Sequence, residues 1–363
     1  MSDLLPNQID AQRRRGRAAA SNPANRFDRL HTDQADDGWP REETDPPIRT
    51  TITVDGSRSI LVRNRSPDVP FDRSINPYRG CEHGCIYCFA RPTHAHLGFS
   101  PGLDFETKLM VKPNAGELLE KTLRKPGYAP QPIAIGTNTD PYQPIERQYR
   151  VMRQILEVLW AYRHPVQITT KGALIARDAD LLGRMARLGL ASVTISLTTL
   201  DNRLSRAMEP RAASPGKRIA LIRDLAAHRV PVGVNLAPVI PGLTDHEVER
   251  MVEAGAKAGA THAGFINLRL PLEVGPLFRD WLEREYPDRA KRVMERVREM
   301  HGGKDYDPQW SKRLRGTGPH AEIITKRFQL AAKRHRLTGS KPQLRIDLFA
   351  PPARPGDQLS LGI

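Results

Sequence analysis

The chain has 363 residues, with 56 Lys and Arg against 41 Asp and Glu, a net charge of +15 and a pI near 10.0. It holds no run of eighteen apolar residues, so no membrane-spanning helix is expected, and Met1-Ser2-Asp3-Leu4-Leu5-Pro6 lacks the charged and apolar regions of a secretion signal. The basic excess favours a polyanionic partner, nucleic acid first. Three cysteines in one cluster, with no pairs, suit a reducing cytoplasm.

Residues 1–48 carry the basic run Arg13-Arg14-Arg15-Gly16-Arg17 and then the acidic stretch Asp33 to Asp45, without sustained apolar periodicity. Such composition cannot bury enough surface to offset ordering entropy, so a disordered basic arm is expected. From 49 to 65, the β-branched runs Thr51–Val54 and Ile60–Val62 flank Asp55-Gly56-Ser57, which predicts a β-hairpin leading into the core.

The cysteines follow as Cys81, Cys85 and Cys88, spaced C-x3-C-x2-C. An odd count in eight residues argues for a shared metal centre rather than a disulfide framework. A zinc site of Cys3His type, with His83, His94 or His96 as fourth ligand, is one reading. It would make the protein a nucleic-acid-binding adaptor without catalysis. An iron–sulfur cluster is the other: four-iron clusters usually take four thiolates, so three leave one iron open.

Cys81-x3-Cys85-x-Tyr87-Cys88 resembles the signature of the radical S-adenosylmethionine (radical SAM) superfamily. The flanking Asn76-Pro77-Tyr78-Arg79-Gly80 and Asp140-Pro141-Tyr142-Gln143-Pro144 resemble the branch related to spore photoproduct lyase. The resemblance implies a 4Fe-4S cluster on the three cysteines and S-adenosylmethionine on the open iron. It implies reductive cleavage to a 5'-deoxyadenosyl radical that abstracts hydrogen from a substrate, and an electron donor of flavodoxin or ferredoxin type. Tyr87 would lie against the adenine, and Lys171 with Ser196 would hold the methionyl carboxylate. The loop Gly136–Asp140 departs from the family's pattern, so Asn138, Thr139 and Asp140 all stay open as acceptors of the amino group. Asn235 and Asn267 could meet ribose or adenine. Arg269 is the best internal anchor for an anionic substrate. The lyase's extra hydrogen-donating cysteine has no counterpart, which makes Tyr142 a candidate donor.

Between 66 and 272 the pattern alternates helices with strands at Ile133–Ile135, Val166–Thr170, Val193–Leu197, Val232–Leu236 and Phe265–Leu270. A helix opened by a capping box, Thr244-x-x-Glu247, precedes the last strand. Repeated β-α units force parallel strands with right-handed crossovers. Counting a strand before the cysteines, six predict a partial (β/α)6 TIM-like barrel, which is also the radical SAM core. The strands alternate where buried parallel strands normally read as apolar runs: Val166 and Ile168 oppose Gln167 and Thr169, Val193 and Ile195 oppose Thr194 and Ser196, and Ile266 and Leu268 oppose Asn267 and Arg269. The apolar set should face the helices and the polar set a ligand in the interior.

Residues 273–345 read as a helical extension. Ser311 to Arg345 holds ten Lys or Arg against Glu322 alone, a net +9, suited to phosphate. Residues 346–363 form a flexible tail, whose end Gln358-Leu359-Ser360-Leu361-Gly362-Ile363 resembles a sliding-clamp docking peptide without its final aromatic.

Overall fold

The computed structural model of the chain describes residues 9–28, 47–338 and 341–353. Among these, ten strands occur: β1 Thr51–Val54, β2 Leu61–Arg63, β3 Arg73–Ile75, β4 Tyr78–Arg79, β5 Lys108–Val111, β6 Ile133–Ile135, β7 Val166–Thr170, β8 Ala191–Ser196, β9 Val232–Val239 and β10 His262–Asn267. Seven form one sheet in the order β10-β9-β8-β7-β6-β3-β2. β3 and β6 through β10 are parallel, and β2 runs antiparallel to β3 at the edge. The six parallel strands are those the sequence predicts; the sheet is a partial barrel that does not close on itself.

Register sorts the faces. Ile135, Ile168 and Val193 align across β6, β7 and β8, while Ala134, Gln167 and Ser192 align on the opposite face. The first set joins one apolar core with Ile155, Leu182, Leu221 and Val252 of the surrounding helices. Each such side chain contributes roughly 1.5–3 kcal/mol when fully buried. Ser196 is registered against Asn235, and Asn235 against Gly264, so the polar row continues across β8, β9 and β10.

The last strand begins at His262 rather than Phe265, and its phase differs from the expected one. Phe265 pairs with Leu236 and packs on Phe328, ring centroids 4.6 Å apart, so Phe265 rather than Ile266 faces the helices. A register irregularity between Phe265 and Asn267 breaks the alternation on which that expectation rested.

The 49–65 hairpin does not form. β1 pairs in parallel with β5, and β2 pairs with β3. Asp55 at the supposed turn is instead a hub, accepting from Arg79 Nε and Lys112 Nζ at 2.7 Å each. Those two cations lie far along the chain, where turn-reading cannot see them. The capping box is also absent: Thr244 Oγ1 accepts from the Ile240 backbone, and Glu247 accepts from Leu200 N and the Thr199 hydroxyl.

Residues 9–28 are ordered against the cysteine region, which corrects the expectation of a mostly disordered arm for that part of it. Ala18, Ala19 and Ala20 are buried, and their segment is fixed by polar contacts rather than by apolar periodicity. At the other terminus, 341–353 crosses the N-terminal ends of the strands. Arg345 N bonds Gly189 O, Ala350 N bonds Tyr162 O, and Arg124 donates to Pro352 O.

The helical extension is part of the same body. Helix Val274–Glu285 supplies Phe278, Trp281 and Leu282 to an apolar cluster that includes Cys85, Ile86 and Tyr87. Helix Gly318–Arg334 buries Ala321, Ile324, Phe328, Ala331 and Ala332, leaving Ile323 and Leu330 exposed. Residues 311–316 bridge the two edges of the open sheet. Asn267 receives backbone contact from this segment on β10, and Ser311 N and Arg313 Nε donate to Asp68, just before β3, at 2.7 and 2.6 Å. The acidic stretch 33–45 and the clamp-like Gln358–Ile363 lie outside the described residues.

Candidate metal centre and cofactor site

The cysteine loop begins where β4 ends. Cys81 N donates to Phe105 O and Glu82 N to Gln143 Oε1, so the loop's first residues are tied to neighbouring segments. Its centre is held by a buried ion pair. Arg91 and Glu106, both fully enclosed, meet at 2.6 Å. Arg91 also donates to the carbonyls of Cys85, Gly84, Pro101 and Gly102. Both Glu106 oxygens accept from the N-terminal segment, Ala18 N at 3.1 Å and Ala19 N at 3.0 Å. Gly84 has φ +67°, and a Cβ there would lie 2.7 Å from Glu106, so any side chain would be strained and obstructed.

Cys81 and Cys85 are buried, Cys88 is half-buried, and none is in a disulfide. Burial pushes the Cys81 thiol well above its ordinary range and Cys85 up to about 12, and the negative charges of the other sulfurs, with Asp140 or Glu209, add to this. At Cys81 and Cys85 burial and nearby negative charge disfavour the thiolate, a cost that a bound metal centre would offset. The donor set therefore fits a thiolate-bound cluster. His94 Nε2 contacts Lys108 O, His96 lies against Arg26, and His83 Nδ1 sits 3.4 Å from Asp140.

Beside the cysteines lies a charged cluster centred on Glu209. This buried carboxylate accepts from Lys171 Nζ and Thr198 Oγ1 at 2.8 Å each, and from Tyr87 OH and Arg218. Lys171 Nζ also lies 2.6 Å from Tyr87 OH and 4.8 Å from that ring's centre. Burial lowers the Lys171 pKa, opposed by the negative charge of Cys85 and Cys88. Arg218 donates to Ser196 O as well, at 3.2 Å. Tyr87 and Lys171 thus meet at Glu209, and the backbone of Ser196 joins them through Arg218. Glu209 and Arg218, which organise them, carry no recognisable motif: Glu209 stands in the polar run Ser205-Arg206-Ala207-Met208-Glu209-Pro210-Arg211.

The Gly136–Asp140 loop is largely committed internally. Asp140 accepts from Thr170 Oγ1, Tyr142 N and Lys171 N. Burial opposes its ionisation, but His83 and these donors hold its carboxyl below the ordinary range. Thr139 is buried and its hydroxyl donates to Tyr78 O. Asn138 is exposed, with its backbone N–H on Asn76 Oδ1. Asn235 stays on the polar face beside Ser196. Asn267 does not: its amide donates to Arg315 O at 2.5 Å, so it serves the bridge across the sheet edges.

Tyr142 is 1% exposed within the helix-facing core, its hydroxyl enclosed. Burial, with the charges of Asp178 and Glu146, raises its pKa well above the ordinary range. That position gives a ligand on the polar face no access to the phenol. Arg269 stands over Phe89, the residue after Cys88, with its guanidinium carbon 3.9 Å from the ring centre.

The sequence profile of the Radical SAM superfamily matches residues 75–255, and the chain belongs to that superfamily. Its members use a 4Fe-4S cluster and S-adenosylmethionine, and this chain is an enzyme of that kind. The chain is 39% identical over 273 residues to an uncharacterised protein of Mycobacterium tuberculosis, covering 75% of this chain and 76% of that one. It is 25% identical over 235 residues to a radical SAM Nalpha-GlyT isomerase of Pseudomonas phage M6, covering 62% of this chain and 46% of the phage protein. Its fold resembles that of a spore photoproduct lyase double mutant with bound AdoMet and dinucleoside spore photoproduct. There the TM-score is 0.55, identity 15%, and coverage 78% of each chain.

Proposed function

We propose that Cys81, Cys85 and Cys88 hold a 4Fe-4S cluster with one open iron, and that the polar face of β8 and β9 holds S-adenosylmethionine against it. When bound, the pair supplies a 5'-deoxyadenosyl radical on receipt of one electron from a flavodoxin- or ferredoxin-type donor. The chain's own residues position the cofactor. Tyr87 offers a ring to the adenine, Lys171 and Ser196 the donors for a carboxylate, and Asn235 a polar contact beside them. Lys171 now shares Glu209 with Tyr87, and a methionyl carboxylate would compete for the same ammonium. Asp140 acts mainly through the loop, fixing Lys171 N and Thr170, which leaves Asn138 as the exposed acceptor in that segment. The observation that carries the reading is the set of three free cysteines on a loop clamped by Arg91 and Glu106.

The substrate is read as a nucleic acid in a reducing cytoplasm, from the net +15 of the chain and the +9 of residues 311–345. Hydrogen return differs from the lyase's cysteine route, because the three cysteines are all used and Tyr142 is enclosed. Return from 5'-deoxyadenosine, or an oxidised or rearranged product, satisfies the balance. Anaerobic reconstitution tests the core of the reading. The unsubstituted protein should retain iron and cleave S-adenosylmethionine, and Cys→Ala at 81, 85 or 88 should abolish both together. Stoichiometric zinc with no iron, in variants that fold normally, would refute it.

A further inference from the structure

We infer that Arg269 is the anchor for a phosphate of the nucleic-acid substrate, an inference that rests on the radical SAM reading of the neighbouring cysteines. Arg269 is half-buried, with its guanidinium carbon 3.9 Å from the centre of the Phe89 ring and Tyr306 as a hydrogen-bond partner. Among the described residues no carboxylate pairs with it; its electrical neighbours are Tyr306, the cation Arg313 and the sulfur of Cys88. Arg313 is already neutralised by Asp68 at 2.6 Å.

A partly desolvated cation without a counter-charge is costly unless a ligand supplies one. The guanidinium is also the side chain whose planar fork matches a phosphate by two parallel hydrogen bonds. Its place beside Cys88 puts a bound phosphate next to the cluster loop. The ring beneath it, Phe89, stands open at 39% exposure. An exposed ring beside an arginine suits unpaired bases, which stack on such rings without regard to sequence. A protein substrate presenting a carboxylate would use the same charge but gain less from the ring.

The test uses the full chain, reconstituted anaerobically, with a labelled single-stranded oligothymidylate as probe and a labelled polyglutamate peptide as the second arm. Binding is read by anisotropy, so it reports whether or not S-adenosylmethionine is cleaved. Arg269→Gln should weaken oligothymidylate binding by about ten-fold or more, with Arg269→Lys recovering part of the loss. Lys121→Gln, the same charge change at an exposed site on helix Ala115–Leu123, should alter it little. Iron content and S-adenosylmethionine affinity of Arg269→Gln serve as the readouts of the cofactor site. If either falls as far as oligothymidylate binding does, Arg269 serves the cofactors and the inference fails while the superfamily chemistry stands. Equal losses for polyglutamate, or equal effects of Arg269→Gln and Lys121→Gln, would also overturn it.

Discussion

Both ends of the described chain are straps, and they differ in what holds them. Residues 9–28 grip the cysteine loop through polar contacts: Arg17 to Glu106 O, Ala18 and Ala19 to the Glu106 carboxylate, Asn22 to Asp104 and Asn25 to Ala95 O. Residues 341–353 cross the opposite end of the strands, where Phe349 packs among Tyr128, Tyr162 and His164 and backbone bonds to Gly189 and Tyr162 assist it. The first strap is built into the metal centre, whereas the second closes the fold far along the strands from it. Damage to the first should therefore appear in chemistry, and damage to the second in stability alone.

The sharpest way to break this contrast is Glu106→Ala. It leaves Arg91 buried without its partner and removes the acceptor of Ala18 and Ala19. Breaking such a pair from one side costs about 3–5 kcal/mol. Iron retention after reconstitution should fall severely, with the cysteines all present. Normal iron loading in a folded Glu106→Ala protein would show that the N-terminal strap is incidental to the centre.

A smaller effect concerns S-adenosylmethionine. Lys171→Ala removes a charge-assisted contact of about 1.5–3 kcal/mol, so affinity should weaken by about ten-fold or more while the cluster spectrum persists. Unchanged affinity would leave Lys171 as a structural partner of Glu209. This variant lies outside both straps and calibrates what loss of a cofactor contact looks like when the loop is intact.

The pH dependence separates the straps by histidine. His94 stands beside the cysteine loop, against Phe99 and Phe105, and His164 stands under Phe349. Burial lowers both to about 4. With the unfolded value near 6.5, the unfolded chain binds more protons between those limits. Stability is therefore full above about pH 6.5 and declines as pH falls towards 4, by on the order of 2–3 kcal/mol for each residue. Urea midpoints measured across that range should slope less in His94→Gln and in His164→Gln. An unaltered slope in both would mean that these rings are not held neutral by the fold.

What the sequence makes legible follows from where the forces are local. The three cysteines, the six parallel strands and the alternation Gln167/Ile168 or Thr194/Ile195 depend on spacing and period, and those are written in the chain. Tyr87 and Lys171 are singled out by the family resemblance, and the fold brings those two into contact. Glu209 and Arg218 are not legible, because an isolated acid and base with distant partners have no period. The N-terminal strap is hidden for the same reason: its order comes from Glu106 and Asp104, far along the chain. The reversed phase of Phe265 arises at a register irregularity, which a strict period of two cannot represent.

The smallest predicted effect sharpens the contrast from the C-terminal side. Phe349 is half-buried, so Phe349→Ala should remove less than a core phenylalanine, about 1–2 kcal/mol after scaling the 3–5 kcal/mol of full burial. The ring's neighbours Tyr128 and His164 bond one another at 2.8 Å, so they hold their positions without it. Melting temperature should drop by a few degrees, of the size expected for a chain larger than about 150 residues. Iron content and the rate of S-adenosylmethionine cleavage at room temperature should match the unsubstituted protein, because nothing in this strap touches the cysteine loop. A loss of cluster in Phe349→Ala as large as that in Glu106→Ala would mean that the two straps are coupled, and that the division between a chemical strap and a structural one does not hold.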